Sequence, residues 1–146
     1  MRLRALALVV VFCLMVSSGA GQDKAGSGDK DKIQDTWGVT SGKAKGKDLP
    51  ADFIKDVKFV FAGDKFTMIK MGKKMEWTFT LDPTKKPKEI DVKFEDGTGK
   101  GIYELDGDTL KIAHGEMGDP RPTDFVSKEG SQITVIVLIR EKARKK

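Results

Sequence analysis

The chain has 146 residues, with 27 Lys and Arg against 22 Asp and Glu, one His, one Cys and no Asn. This length fits one domain, and 38% hydrophobic with 34% charged residues excludes both a wholly disordered chain and a membrane bundle. The basic residues are spread along the chain except at its end, where Arg140, Lys142, Arg144, Lys145 and Lys146 cluster, and such a short charged terminus reads as solvated, so no nucleic-acid partner is expected.

Arg2 and Arg4 precede an uncharged apolar run from Ala5 to Val16, and Ser18, Gly19 and Ala20 then supply small residues where a signal peptidase cuts. The run is shorter than the ~20 residues of a spanning helix. Residues 1–20 therefore read as a cleavable export leader, which makes the protein secreted or periplasmic, with no stable membrane insertion after cleavage. Cleavage after Ala20 leaves 126 residues with 25 basic and 22 acidic side chains and no cysteine. The mature chain is then unable to form a disulfide, and at this size a core suffices without one.

Residues 21–32 (GQDKAGSGDKDK) carry no large apolar side chain and read as a flexible linker. From Ile33 onward the pattern becomes short alternating segments with turn signals every eight to twelve residues, the signature of an all-β sandwich or barrel. Trp37 to Thr40 opens the series. Leu49 to Ile54 reads as one short helical turn with Pro50 near its start. Val57, Phe59 and Phe61 share one face, and a turn at Gly63-Asp64 returns Phe66 and Met68 to it.

Met75, Trp77, Phe79 and Leu81 alternate with polar residues, as do Ile90, Val92 and Phe94. After a Gly-rich turn, Ile102 to Leu105 and Thr109 to His114 flank Asp106-Gly107-Asp108. This pairing puts Tyr103 and Leu105 on one face with Leu110, Ile112 and His114. The apolar run from Ile133 to Ile139 suits a strand covered on both sides. The count is eight strands, and eight sequentially paired antiparallel strands close into an up-and-down β-barrel without exposed edges. The barrel domain is assigned to residues 33–141. Residues 115–123 are too long for a hairpin and read as a lid over one barrel end, and 142–146 as a solvated basic tail.

Several of these segments together resemble a known family. Gly101-Ile102-Tyr103-Glu104-Leu105-Asp106-Gly107-Asp108-Thr109-Leu110, then Arg121-Pro122-Thr123-Asp124-Phe125, with Asp82-Pro83, Pro87, Ile90-Asp91 and the early Trp37, resemble secreted lipocalin-like domains of unknown function abundant in planctomycete bacteria. The resemblance spans about Ile33 to Glu141. It implies a calycin-like barrel and carries over no catalytic residue. The wider lipocalin opening, Gly-x-Trp, is met only in its tryptophan, because Asp35 and Thr36 precede Trp37. Lipocalin barrels also lay a basic residue of the last strand across that tryptophan. This implies a structural closure of Trp37 by Arg140, with Arg121 as the competitor, worth roughly 0.5–2 kcal/mol.

Catalysis is not expected. His114 is the single imidazole, residues 21–146 hold no cysteine for a His/Cys zinc cluster, and no serine stands in a nucleophile turn. Asp106 and Asp108 flank a turn glycine, and the spacing of an EF-hand loop is absent, so neither metal nor cofactor is assigned. Glu104 and Lys111 are placed opposite each other as an exposed cross-strand pair.

Two readings of the inner face remain. The many large side chains that point inward either fill the barrel or line a narrow cup for a small apolar or amphipathic ligand. The candidate ligand-binding residues are Phe59, Phe61, Met68, Lys70, Trp77, Phe79, Tyr103 and His114, of which Lys70, Tyr103 and His114 would orient a polar group. A third reading makes the protein an interaction module whose loops contact an envelope protein. The outward residues Glu76, Thr78, Thr80, Asp91, Lys93 and Glu95 are polar and leave no broad apolar interface there.

Overall fold

The computed structural model describes residues 27–144. The leader assigned to 1–20, the first part of the linker at 21–26 and the last two residues of the basic tail lie outside the described residues.

Nine antiparallel strands form one sheet: β1 (Asp35–Ala44), β2 (Lys47–Asp48), β3 (Val57–Ala62), β4 (Lys65–Lys70), β5 (Lys73–Asp82), β6 (Lys88–Phe94), β7 (Gly97–Asp106), β8 (Thr109–His114) and β9 (Thr134–Arg140). The order from β1 through β3 to β9 is sequential, and β1 also pairs with β9, so eight strands close a barrel while β2 is a two-residue strand that folds back antiparallel on the end of β1. Along β3 the alternation is complete. Val57, Phe59 and Phe61 are buried and the residues between them are less so. The expected registers hold at both inner-face hairpins, with Phe61 opposite Phe66 and Tyr103 opposite Ile112.

Strand β5 changes partner along its length. Lys73 to Thr78 pair with β4, and Thr78 to Asp82 pair with β6. The β4–β5 hairpin therefore projects past the end of β6. The barrel end that carries this hairpin, the β6–β7 turn and the start of β9 is called the open end below. Helix α2 (Ala51–Asp56) lies there, and Phe53 and Ile54 pack against the core beneath it.

The opposite end is closed by α1 (Ser27–Ile33), which occupies half of the expected flexible linker. Its composition gives no reason for order, and its tertiary contacts do. Ile33 is fully buried and its carbonyl accepts a hydrogen bond from Trp37 Nε1 at 2.9 Å. Asp29 Oδ2 accepts from Tyr103 Oη at 2.7 Å and from Lys88 Nζ at 2.8 Å.

Arg140 completes this end. Its guanidinium carbon stands 4.4 Å from the Trp37 ring centroid. Nε donates to Asp108 at 3.0 Å, Nη1 to Asp35 at 3.1 Å and Nη2 to the Lys32 carbonyl at 2.9 Å. One side chain thus joins α1, β1, the β7–β8 turn and β9. Arg121 is elsewhere: Nη1 donates to Asp91 at 2.6 Å and to the Gly101 carbonyl at 2.8 Å.

That position of Arg121 alters the expected lid. Residues 115–117 and Gln132, near the two ends of the β8–β9 connection, border the open end, and the stretch between them runs as a strap over the outside of the barrel. Phe125 shares an outer groove with Val135 and Val137, and Ser127 Oγ donates to Ile133 and accepts from Gly46. Ile102 and Ala113, opposite each other on the outer face, are buried at 1% and 0%. The expected Glu104–Lys111 ion pair is replaced by another contact, since Lys111 Nζ lies 5.5 Å from the Phe125 ring centroid. The basic tail also starts differently, because Glu141–Arg144 form a short helix, α3.

The acids of the closed end predict a pH dependence. Burial would raise the Asp29 carboxyl, but hydrogen bonds from Lys88 and Tyr103 and the charges of Lys88 and Lys32 outweigh it and hold it below its usual 3.8. At Asp35 burial is likewise outweighed, by the Thr36 amide and the Arg140 guanidinium. A carboxyl lowered on folding stabilises the fold fully above its unfolded value, and that contribution disappears as pH falls through the folded value. Asp29→Asn is therefore expected to flatten the loss of stability seen below about pH 4 in urea midpoints. An acid limb as steep as that of the parent protein would contradict the assignment.

Candidate functional site

The inner face divides into a filled half and an open half. Towards the closed end, Phe61 meets Phe79 edge-on at 5.0 Å between centroids, and Phe66 lies at 5.2 Å from Phe61. Tyr103 fills the same half, 1% exposed, and its hydroxyl is committed to Asp29. Burial, followed by that hydrogen bond and the Asp29 charge, pushes the Tyr103 phenol well above its ordinary value, so it is neutral and acts as a donor.

Above this layer is a cavity of about 360 Å³. Phe59, Phe61 and Phe66 form its base on one side, and Ile90, Val92, Phe94 and Ile112 its walls. Strand β7 lines part of it through Gly99 and Gly101. Its inward positions above Tyr103 are Gly97, Gly99 and Gly101, so that stretch of wall has backbone but no side chains. The neighbours have moved in against it. A β-carbon on Gly99 would stand 2.8 Å from the Phe94 ring, and one on Gly101 2.8 Å from the Ala113 carbonyl.

The rim is polar. Lys45, His114, Glu116, Gln132 and Thr134 border it, together with Met117, which lies over Gly97. Lys45 Nζ and Glu116 Oε1 are 3.9 Å apart, and both side chains are largely exposed. Lys45 has a backbone φ of 54°, in the left-handed region where a non-glycine residue is strained. His114 Nδ1 is 3.0 Å from the Gly115 carbonyl. A carbonyl only accepts, so this bond puts a proton on Nδ1 and leaves Nε2 of the neutral ring as an acceptor.

The eight candidates from the sequence separate accordingly. Phe59, Phe61 and His114 meet in the cavity lining. Trp77 backs it, its ring stacked 5.9 Å from Phe66 and edge-on 5.0 Å from Phe94. Phe79 and Tyr103 lie in the filled half. Met68 packs against the core opposite Phe59 and Met75. Lys70 is turned to α2, its Nζ 5.0 Å from the Phe53 ring centroid. Sequence reasoning left out the glycine wall and the rim residues Lys45, Glu116, Gln132 and Thr134. The spacing of Gly97, Gly99 and Gly101 could have revealed the wall, because alternate glycines on a strand open one face.

Among the described residues, no group of three or more His, Cys, Asp or Glu side chains is gathered as a metal site would require. No family model matches the chain, and neither a curated protein nor a solved structure does.

Proposed function

We propose that this barrel holds one small apolar or amphipathic molecule in the cavity at its open end. The supporting observation is the glycine-walled space itself, within the ~300–1,000 Å³ range of small-molecule sites. Its apolar walls would bury the ligand body, while His114 Nε2 and the Lys45 ammonium would meet a polar end at the rim. The chemistry is binding rather than catalysis. The lone imidazole has no acid or nucleophile partner among its hydrogen bonds. In this reading residues 1–20 direct export and the protein works outside the cytoplasm, as its resemblance to secreted lipocalin-like domains implies.

The test is native mass spectrometry of the exported protein, purified without detergent. The expected result is an added mass of a few hundred daltons that leaves on unfolding. Val92→Trp places an indole in the cavity from its wall, and it is expected to fold while losing about tenfold or more in ligand retention. A bare polypeptide mass, with no uptake from a lipid and metabolite extract, would overturn the reading.

A further inference from the structure

The polar groups of the cavity stand together on one arc of its mouth. His114 is on β8, Thr134 is on β9 and Lys45 directly follows β1, and these three strands are neighbours in the closed sheet. His114 and Thr134 are direct cross-strand partners. Glu116 and Gln132 lie on the same arc, near the two ends of the β8–β9 connection. The rest of the lining is apolar. It includes four phenylalanine rings, Phe59 and Phe61 from β3, Phe66 from β4 and Phe94 from β6. A molecule here would lie with a polar end against the arc and its body among rings, where a flat aromatic body gains stacked and edge-on contacts.

The charges at the mouth select the head group. Of the lining residues only Lys45 and Glu116 carry a formal charge, and their charged atoms are 3.9 Å apart. The charges on the neighbouring hairpins, Glu76, Glu95 and Asp96 against Lys70, Lys73 and Lys74, do not line the cavity. An anionic head would meet Lys45 with Glu116 beside it, and a cationic head would meet the reverse, so neither sign is favoured. His114 decides the rest. Its Nδ1–H donates to the Gly115 carbonyl at 3.0 Å, and Nε2 has no protein partner among the described residues. The Nε2 of the neutral ring accepts a hydrogen and gives none. A carboxylate, an ether or a ketone brings no hydrogen to it. A hydroxyl does, and its oxygen can in turn accept from the Thr134 hydroxyl or the Lys45 ammonium.

We infer that the cavity takes an uncharged aromatic alcohol, its ring body among the phenylalanines and its hydroxyl donating to His114 Nε2. The inference rests on the reading of this cavity as a ligand site and adds the class of molecule it takes. His114 is then the residue that sets specificity, through the one ring nitrogen that the fold leaves without a partner.

The experiment is equilibrium dialysis at neutral pH against naphthol, naphthalene and naphthoate in turn. The protein is first refolded from urea so that it starts empty, with its thermal midpoint recovered. The three probes share one ring system and differ only in the head. Naphthol is expected to bind about tenfold more tightly than either of the others, the yield of one hydrogen bond. His114→Phe keeps a ring and removes the acceptor, and should bring naphthol to within about twofold of naphthalene. His114→Gln returns an acceptor oxygen and should recover part of the preference. Glu116→Gln leaves Lys45 unopposed at an exposed position and should strengthen naphthoate binding alone, by about two- to fivefold. Naphthalene or naphthoate binding as tightly as naphthol would overturn the inference while leaving the cavity a ligand site. So would a naphthol preference that His114→Phe retains in full. Binding of none of the three would overturn the ligand site itself, and the inference with it.

Discussion

Trp37→Ala is expected to lower the unfolding free energy by about 3–5 kcal/mol, the usual cost of removing a buried large aromatic side chain. Trp37 is fully buried at the closed end, and three separate interactions end with it. The Ile33 carbonyl loses its donor, Arg140 loses the ring beneath it, and Ile33 loses the surface on which α1 rests. A domain of this size has about 5–15 kcal/mol in total, so the variant is expected to be partly unfolded at 37 °C. Urea unfolding followed by far-ultraviolet circular dichroism checks this. A loss below about 1.5 kcal/mol would mean that the closed end repacks around the hole. The other tryptophan is a useful contrast. Trp77 is half-buried beside the cavity, and its replacement by alanine should cost less stability than Trp37→Ala.

The second large effect is expected at Arg140. Arg140→Gln removes a planar donor that serves Asp35, Asp108 and the Lys32 carbonyl, and leaves the half-buried Asp35 carboxylate with fewer partners. Hydrogen bonds to charged groups contribute about 1.5–3 kcal/mol each where buried, and less where water reaches. Asp108 is largely exposed, so the expected total is about 2–3 kcal/mol. Arg140→Lys should restore little of it, because one ammonium cannot span three acceptors and lie flat on an indole. A double-mutant cycle of Arg140→Gln with Trp37→Phe isolates the stacking, expected at roughly 0.5–2 kcal/mol. Recovery of full stability in Arg140→Lys would reduce the role of Arg140 to its charge alone.

The barrel was legible in the sequence wherever side chains alternate. Phe59 and Phe61 against Phe66, or Tyr103 against Ile112, are paired by the two-residue period and by the turns, both local properties. The upper part of β7 was not legible, because glycines present no pattern to read and a run of them suggests a turn. Yet Gly99 and Gly101 line the cavity, so part of the site was hidden by the absence of a side-chain pattern. Helix α1 was missed for a different reason. A short polar segment is ordered only by partners such as Tyr103, 74 positions from Asp29. Lys70 shows a third limit. Its strand phase was readable, but the contact that draws its ammonium to Phe53 of α2, outside the cavity lining, was not. Arg121 and the strap are of the same kind, since nothing local says which outer surface a long connection will cover.

The seam between β1 and β9 also determines the order in which the molecule can form. From β3 to β8 each ladder joins strands that are neighbours in sequence and linked by two to five residues, and each of those can zip as a hairpin once its turn has been made. The seam joins residues as far apart as Asp35 and Arg140, 105 positions away, and so awaits almost the entire polypeptide. Until then the sheet is an open ribbon with two unsatisfied edges and an uncovered greasy face, the state most prone to stick to another copy. Loss of the last strand would therefore do more than shorten the barrel; it would make that sticky ribbon the end product.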